Sequence, residues 1–413
     1  MAAAAPGAYD GLRVVDFSHV IAGPLCTKLL ADHGAEVIKI ESLAGDMMRR
    51  FPYSIDAPGT TTQFIQYNLG KRSVAMDLRD ADVRELVFEL CDKADVVVEN
   101  FRPGTMARLG LEIEELRRRN PRLVVCSVST FGAVGPASEI SGFGFVAEAR
   151  SGLMYLNGDE GDKPSAFGTA LADMNASLHA FGAIGAALYR RSVSGEGTSI
   201  DISSYDALVT MIDHALALHN LTGGERRFGR YGTRHPLIVP NGVTQTADGE
   251  YVAYGCAADA QFHALARLMG RPGWETDPTY ATGAARVAVQ AEIYDAVDEW
   301  AATIATADEL VGILAAAGTV GARIQEYTEA ATDEHLIARG TLAPVDVRGV
   351  GETLLPSAPH PMSGLTVAPA GDAPGLGEHT RAVLTGELGL SDQRVDELLA
   401  RGVVAEPAAG ALA

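Results

Sequence analysis

A single carboxylate, that of Asp173, follows Gly168-Thr-Ala-Leu-Ala172 and stands where a long helical pattern starts. Asp is among the preferred helix N-cap residues, so this stretch taken alone favours a cap. The alternative is a nucleophile, because a helix N-terminus favours the ionised carboxylate and carboxylates can form covalent intermediates. The stretch leaves both roles open, and the rest of the chain has to decide between them.

The residues after Asp173 predict the element that positions it. Apolar side chains recur at three- and four-residue spacing, which predicts a helix with one buried face made of Leu178, Phe181, Ile184 and Leu188. Gly182 and Gly185 on this helix would let another element approach its backbone closely.

Composition narrows the class of protein. A chain of 413 residues favours two domains, and a net charge of −20 argues against a nucleic-acid or anionic-membrane partner, although a local basic pocket could still hold a phosphorylated ligand. The four cysteines are far apart, which predicts buried thiols and neither a zinc site nor a disulfide framework. The first six residues lack the features of a signal peptide and no apolar run reaches a membrane span. We therefore expect a soluble cytoplasmic protein.

Strands alternate with helices through the N-terminal half. The patterns predict strands at 12–17, 37–41, 95–100 and 123–128 and helices at 24–32, 83–94 and 112–119. This alternation predicts an α/β protein with a doubly wound sheet and ligands at the carboxyl ends of the strands. The turn His19-Val-Ile-Ala-Gly-Pro24 lacks the glycine pattern of a dinucleotide site, so we expect no NAD or FAD, and Glu41 is expected to be a solvated or structural strand-end residue.

Basic residues fall in loops at the strand ends of this half. Any one of them has a sufficient explanation as surface charge, but together they are what a polyphosphate ligand would need: Arg49, Arg50, Lys71, Arg72, Arg79, Arg102 and Arg108. Asn100 and Phe101 directly follow a buried strand and would place an amide and an aromatic face at the ligand edge. A simple turn at Pro103-Gly104 is compatible with that role.

The second half predicts a further domain. A strand at 197–203 and a helix at 205–219 complete a large domain over 1–221, and the polar, glycine-rich stretch 222–235 reads as a linker. A hairpin around Asp248-Gly249 and helices at 261–269, 290–304 and 307–316 predict a small α+β domain over 236–330. A short helix at 333–339 would return the chain to the large domain, with last helices within 380–399 and a loose tail at 406–413.

Several segments resemble a known family. They are Asp16-Phe-Ser-His-Val-Ile-Ala-Gly-Pro24, Ala35–Glu41, Gly45-Asp46 with Arg49, Asn68–Ser73, Asp95–Gly104, Gly168–Asp173, Gly195–Asp201, Leu376–Thr380 and Gly389–Ser391. In this order they are similar to the class III CoA-transferases, the formyl-CoA:oxalate and carnitine CoA-transferase superfamily, which includes the α-methylacyl-CoA racemases. The resemblance spans nearly the whole chain.

The resemblance implies a fold and a reaction. The fold would be a Rossmann-like large domain built from both chain ends, plus the small domain, in an interlocked homodimer. Asp173 matches the family's catalytic aspartate, which attacks an acyl-CoA thioester to give an aspartyl anhydride and then an aspartyl-CoA thioester, before a carboxylic acid acceptor reverses the exchange. CoA would be a substrate, with no permanently bound cofactor and no metal.

The resemblance also implies a CoA site. His19, Val20 and Ala22 match the segment that runs along CoA, and further matches to its adenine, phosphates or pantetheine are Arg79, Asn100, Phe101 and Arg108. With the remaining strand-end cations, the predicted CoA-binding set also includes Arg49, Lys71, Arg72 and Arg102.

Alternatives remain at the level of the reaction. The racemase branch needs a histidine in a Gly-His-Asp segment, where this chain has Phe143 within Gly142-Phe-Gly-Phe145. A non-catalytic acyl-CoA-binding protein is a further alternative.

Ile21 stands where formyl-CoA enzymes carry a glutamine, and Gly232–Pro240 replaces their glycine-rich loop, which makes oxalate a poor candidate for the acceptor. Arg234 or His235 could meet an acceptor carboxylate, although a hinge turn explains both equally well.

Overall fold

The computed structural model of the protein describes residues 5–51 and 60–407. Residues 1–4 and residues 408–413 of the predicted C-terminal tail lie outside the described residues. The chain divides into two compact units. The large unit takes the described residues of Met1–Leu153, Phe167–Asp213 and Ala331–Ala413, and the small unit takes Met154–Ala166 and His214–Ala330. Met154–Ala166 and His214–Leu221, which the sequence pattern places in the large domain, group with the small unit.

The strands of the described chain, numbered in order, form three sheets. They are β1 Arg13–Asp16, β2 Glu36–Glu41, β3 Arg72–Met76, β4 Val96–Glu99, β5 Val124–Ser129, β6 Ser199–Ser203, β7 Asn241–Gln245, β8 Tyr251–Gly255, β9 Val320–Arg323, β10 Leu342–Val347, β11 Gly351–Pro356 and β12 Val404–Ala405. The main sheet has the order β12-β3-β2-β1-β4-β5-β6, and every pairing in it is parallel except β12 with β3. The predicted α/β class with a large parallel sheet is confirmed.

The strand order reverses direction between β1 and β4. From β1 the chain adds β2 and β3 on one side, and it then adds β4, β5 and β6 on the other. Ligands of open α/β sheets bind at such a switch point, outside the carboxyl ends of the strands. The segment after β1 begins at Phe17 and the segment after β4 begins at Asn100, so these two connections border the crevice.

The helices alternate with the strands of the large unit and surround the hairpin of the small unit. They are α1 Ala22–Asp32, α2 Thr62–Asn68, α3 Ala81–Asp92, α4 Thr105–Arg108, α5 Ile113–Arg119, α6 Gly144–Ser151, α7 Leu153–Leu156, α8 Leu171–Ser194, α9 Ser204–Val209, α10 Asp213–Leu221, α11 Asp259–Leu268, α12 Gly283–Ala288, α13 Gln290–Ala301, α14 Ala307–Ala316, α15 Glu334–Ala338, α16 Thr380–Gly386 and α17 Asp392–Ala400. Among the described helices, none is long and apolar enough to cross a membrane.

Helices cover both faces of the main sheet. Successive strand residues point to opposite faces, so neighbouring residues of one strand pack against different helices. Val14 lies in the same apolar cluster as Ile184 of α8 and Leu30 of α1. Its neighbour Val15 lies in the opposite cluster, with residues of α3, α16 and α17. The long helix that carries Asp173 is therefore fixed by its packing against one face of the sheet. The predicted burial of Leu178 on this helix is wrong: its side chain is 53% exposed, and it does not join Phe181, Ile184 and Leu188 in the apolar cluster against the sheet.

The structure differs from the predicted elements in several places. The predicted helix at 205–219 is split into α9 and α10 by the 3-10 turn Thr210–Ile212. β3, β9, β12 and the β10–β11 hairpin were not predicted, because each is short or interrupted by polar residues. In the small unit, the predicted hairpin around Asp248-Gly249 is confirmed as the antiparallel pair β7–β8, which β9 extends on the β8 side.

Candidate active site

Asp173 lies in the first turn of α8, as the third residue of a 24-residue helix. The residue at the N-cap position is Ala170, which has no side-chain hydrogen bond to offer. The cap role that the local sequence favours for Asp173 is therefore wrong, because the N-cap position is Ala170, three residues before Asp173. The Asp173 carboxylate therefore does not cap the helix.

The Asp173 carboxylate is partly buried against α6. A Cβ atom at Gly144 would lie 2.6 Å from Asp173 Oδ2, so the carboxylate rests directly on the glycine. Glu148, one helical turn later on α6, is buried, and its Oε1 accepts a hydrogen bond of 3.3 Å from the backbone N–H of Ala172. Two carboxylates thus face the same helical turn.

These surroundings raise the pKa of Asp173 to about 6, first through burial and then through the negative charge of Glu148. The helix N-terminus acts in the opposite direction, but a helix dipole contributes only about 0.3–1 kcal/mol at most sites. An upward shift of two pKa units corresponds to roughly 3 kcal/mol, so burial and the like charge dominate. Asp173 is ionised at neutral pH and is more basic than an ordinary aspartate.

Two further side chains connect Asp173 with neighbouring helices. Tyr67 of α2 is buried, and its pKa is raised first by burial and then by the charge of Asp173. Ser177 Oγ lies 2.6 Å from the carbonyl oxygen of Ala22 and 2.7 Å from that of Asp173. The Ser177 hydroxyl ties the first turn of α8 to the first residue of α1.

The turn after β1 is held by Asn100 of the neighbouring strand connection. The backbone N–H of His19 donates to Asn100 Oδ1 at 2.8 Å, and Asn100 Nδ2 donates back to the His19 carbonyl at 2.7 Å. The rings of His19 and Phe101 meet edge to face, with centroids 5.1 Å apart. Burial lowers the pKa of His19, so its ring is neutral at neutral pH. The two connections at the switch point are joined by these contacts.

Val20 in this turn has a φ of +70°, a conformation that β-branched residues rarely adopt. Its backbone N–H points at the carboxylate of Asp46, 3.2 Å from Oδ1. Strain of this kind costs about 1–3 kcal/mol and concentrates at functional sites. The strained residue falls within the segment that the resemblance places along CoA.

A buried network of ion pairs contacts the same turn and stabilises it. Lys71 Nζ lies 3.0 Å from Asp16 Oδ2, and Lys39 Nζ donates to the Ser18 carbonyl at 2.6 Å while pairing with Asp46. Burial alone would raise the pKa of Asp16, yet the charges of Lys71 and Lys39 hold it at about 2. All the side chains of this network are fully buried or nearly so.

Three of the predicted CoA-binding cations are placed differently from the expectation. Lys71 is buried in the pair with Asp16, and burial lowers its pKa to about 8. Arg49 is buried against Glu41, 2.6 Å from Nη2 to Oε1, which makes Glu41 a structural residue and not a solvated one. Arg72 begins β3, at the amino end of the strand, and pairs with Glu36 and Glu387. A role for these three in CoA binding stays a prediction.

A pocket of about 430 Å³ opens at the carboxyl ends of β1, β2, β3 and β4. Its lining includes His19, Arg79 and Phe101 from the predicted set, together with the 43–46 segment after β2. Arg79 is exposed and pairs with Asp77 at 2.7 Å. Arg102 and Arg108 are exposed on the β4 connection, and Arg102 lines a neighbouring pocket of about 240 Å³ with Phe101. The pocket and these cations occupy the ligand edge of the sheet.

The tentative substrate residues fall into two groups. In the large unit, Ile21 precedes α1 and is partly buried, while Phe143 precedes α6 and is 68% exposed. In the small unit, Arg234 pairs with Asp295 and Asp298 at 3.1 and 2.7 Å, and His235 Nδ1 accepts hydrogen bonds from two backbone N–H groups. Arg234 already has two carboxylate partners, and a substrate role for both residues stays a prediction.

Gly144 and Glu148 complete the immediate surroundings of Asp173, and no sequence motif singles them out. The available signal is a charged residue in the apolar stretch Gly144-Phe-Val-Ala-Glu-Ala149, four residues after a glycine. Within residues 5–51 and 60–407, no group of three or more histidine, cysteine, aspartate or glutamate side chains could hold a metal ion.

The chain is similar in sequence and in fold to known proteins. A sequence model described as CoA-transferase family III matches residues 9–380. The succinyl-CoA–D-citramalate CoA-transferase of Chloroflexus aurantiacus is 36% identical over 408 residues, covering 97% of this chain and 98% of that protein. The acetyl-CoA:oxalate CoA-transferase of Acetobacter aceti is 35% identical over 361 residues, covering 87% and 90%. The crystal structure of a CAIB/BAIF family protein from Brucella suis superposes with a TM-score of 0.81 at 33% identity, covering 92% and 99%.

Proposed function

The chain belongs to CoA-transferase family III, and we propose that it moves CoA from an acyl-CoA thioester to a carboxylic acid through covalent intermediates on Asp173. The observation that carries this proposal is the Asp173 carboxylate itself. It is partly buried, more basic than usual and unobstructed by any side chain at Gly144.

The first half of the reaction loads Asp173. One carboxylate oxygen of Asp173 attacks the thioester carbonyl, a C–O bond forms, the C–S bond breaks and CoA leaves as a thiolate. The thiolate then attacks the Asp173 carbonyl of the resulting anhydride, which releases the donor acid and leaves Asp173 as a CoA thioester. In the second half, the acceptor carboxylate displaces the thiolate to form a new anhydride. The thiolate then attacks the acceptor carbonyl, which gives the new acyl-CoA and restores Asp173.

The raised pKa of Asp173 suits this role. A nucleophile gains reactivity as its basicity rises, and its ionised fraction has to stay high at the working pH. With a pKa of about 6, Asp173 is mostly ionised above neutrality and still more basic than a solvated aspartate. A carboxylate also suits the chemistry, because its anhydride can return the acyl group to a thiolate.

CoA is proposed to lie across the switch point of the main sheet. The His19–Ala22 turn and the Asn100-Phe101 pair would contact its pantetheine and adenine, and Arg79, Arg102 and Arg108 are the exposed cations available for its phosphates. Arg49, Lys71 and Arg72 are already paired, so we assign them to support of this site more than to direct contact.

The acceptor is proposed to be a carboxylic acid, because the named relatives are CoA-transferases for citramalate and oxalate. Ile21 and Phe143 of the large unit are proposed to shape its site, and a substrate role for Arg234 and His235 stays a separate prediction. A racemase would need a second base, and Phe143 stands at the position where that branch has its histidine.

We further propose that the protein acts in the cytoplasm as an interlocked homodimer, with a Rossmann-like domain made from both chain ends. Its four cysteines are free and buried, as in proteins of a reducing compartment. For the dimer, the support is the outer face of α8, where Leu178, Tyr189 and Val193 are 53%, 75% and 70% exposed. Exposed apolar side chains of this density along one helix are typical of interaction surfaces.

The test of this proposal is transfer activity in Asp173→Ala. The variant is expected to bind CoA with unchanged affinity, measured by calorimetry, and to lose acyl exchange across a panel of donors and acids. Retention of full transfer activity would contradict the proposal. Loss of α-deuterium from a 2-methylacyl-CoA without any acceptor would instead favour the racemase reaction. Tight CoA binding without exchange in the unmodified chain would favour a non-catalytic binding protein.

A further inference from the structure

We propose that Glu148 is a positioning residue, which holds the first turn of α8 and sets the electrostatic surroundings of the Asp173 carboxylate. This inference rests on the proposed function, because it assigns Glu148 to the same nucleophile. Glu148 does not contact the reacting atoms in the proposed mechanism, and it acts through its hydrogen bond to Ala172 and through its charge.

The first observation is the place of Glu148 in the structure. Its side chain is on α6 and 3% exposed, and its Oε1 accepts the N–H of Ala172, the residue directly before Asp173. Gly144 lies one turn earlier on α6 and meets the Asp173 carboxylate itself. Residues four apart share a helix face. Gly144 and Glu148 therefore lie on one face of α6, and this face packs beside Asp173.

The second observation is the start of α8. The first N–H groups of a helix have no partner within the helix, and they usually receive one from the N-cap side chain. Ala170 at this position has no such group. Glu148 supplies the missing acceptor from a different helix, so the orientation of the first turn depends on α6.

An apolar residue at position 148 would be the ordinary choice for a buried helix face. A buried carboxylate close to a second carboxylate is unfavourable for stability unless it is compensated. One N–H bond from Ala172 compensates only part of that cost. An unfavourable arrangement beside the nucleophile is the expected sign of a functional role, since such sites trade stability for reactivity.

The consequence for Asp173 follows from the like charge. The negative charge of Glu148 opposes ionisation of Asp173 and, after burial, is the second cause of its raised pKa. Tyr67 of α2 is the other titratable group that interacts with Asp173, and its own pKa is raised, so it carries no charge at neutral pH. Among the described neighbours, Glu148 alone can adjust the basicity of the nucleophile by charge.

The test compares Glu148→Gln with the unmodified chain. Gln keeps an oxygen that can accept the Ala172 N–H and removes the charge. We expect the Asp173 titration midpoint to fall from about 6 by about half a pH unit to one unit. We also expect kcat for transfer at pH 7.5 to fall several-fold, because the nucleophile is less basic, with KM for acyl-CoA unchanged. Glu139→Gln, an exposed glutamate on the preceding loop, is the matched control and should change neither.

The midpoint is to be followed by infrared difference spectroscopy of the carboxyl C=O band that disappears in Asp173→Asn. This readout is independent of turnover. An unchanged or raised midpoint in Glu148→Gln would overturn the inference, even if transfer activity is established. A lowered midpoint in a protein without transfer activity would support the inference while the proposed function fails.

If Glu148→Gln does not fold, two other measurements still test the inference. Glu148→Asp keeps the charge and shortens the reach, so its midpoint should stay raised while kcat falls. In the unmodified chain, an Asp173 midpoint at the ordinary value of 3.8 would overturn the inference without any variant.

Discussion

The backbone of Gly144 lies against the carboxylate of Asp173, so that a Cβ atom at position 144 would stand 2.6 Å from Asp173 Oδ2. Real Cβ atoms do not approach other atoms so closely, and the side chain of Asp173 has only two torsions with which to move away. Any residue other than glycine at position 144 has to displace the Asp173 carboxylate.

The first prediction is that Gly144→Ala lowers kcat by about 10- to 100-fold, because a displacement of about 1 Å at a reacting group has effects of this size. Steady-state kinetics and calorimetric CoA binding measure it, and we expect the binding constant to stay within about twofold. Gly312→Ala is the control, since a Cβ atom there meets nothing within 4 Å. A Gly144→Ala variant with unchanged kcat would show that the carboxylate has room that the structure does not give it.

The second prediction concerns stability. The pKa of Asp173 in the folded chain, about 6, lies above its ordinary value of 3.8. Ionisation of Asp173 is therefore less favourable in the folded state than in the unfolded state. The free energy of unfolding falls as the pH rises from about 4 to about 6, and the loss is complete above pH 6. Asp173→Asn should raise the free energy of unfolding at pH 7.5 by about 1–3 kcal/mol and leave it unchanged at pH 3.5. Urea unfolding at both values measures it, and an equal effect at both would argue against a raised pKa.

The third prediction concerns the turn after β1 and separates an effect on stability from an effect on the KM for acyl-CoA. Asn100→Ala removes both hydrogen bonds to the His19 backbone, which should cost about 1–3 kcal/mol and raise KM for acyl-CoA by about tenfold. Asn120→Ala is a matched control, because that amide also bonds to backbone carbonyls, those of Cys91 and Ala94, away from the pocket. It should lower stability to a similar extent with KM unchanged. A raised KM in both variants would mean that stability loss alone explains the effect.

The fourth prediction divides the cations of the predicted CoA site. Lys71→Met breaks a buried ion pair and should lower the free energy of unfolding by about 3 kcal/mol. Arg79→Ala removes an exposed cation and should leave stability unchanged while weakening CoA binding severalfold, more strongly at low salt. Chemical denaturation and CoA titrations at two salt concentrations measure both. Weakened CoA binding by a stable Lys71→Met protein would return Lys71 to the set of direct CoA contacts.

Much of the fold follows from patterns that are visible in the sequence. The apolar strands that end at Asp16, Glu41 and Glu99 stand out because a parallel strand covered on both faces is apolar throughout. Their ends locate the ligand edge, where His19 and Asn100 meet across 81 positions of sequence. β12 has two residues and no such pattern, and only its pairing with β3 makes it a strand.

The surroundings of the nucleophile could not be predicted in the same way. Asp173 has a cap-like position in the sequence, and its true place in the first turn depends on where α8 begins. Glu148 lies 24 positions before Ala172, and only the packing of α6 against α8 brings the two together. Lys71 and Arg49 look like solvated loop cations until Asp16 and Glu41 are seen beside them. Charge partners depend on tertiary contacts, which no local pattern reports.

The most direct test of the account is to trap the acyl carrier. The protein is incubated with an acyl-CoA donor and hydroxylamine, which converts an activated aspartate to its hydroxamate, and the peptides are analysed by mass spectrometry. We predict a hydroxamate on Asp173 that requires the donor and is absent in Asp173→Asn. An active enzyme whose Asp173 stays unmodified across a broad panel of donors would contradict the claim that this carboxylate carries the acyl group.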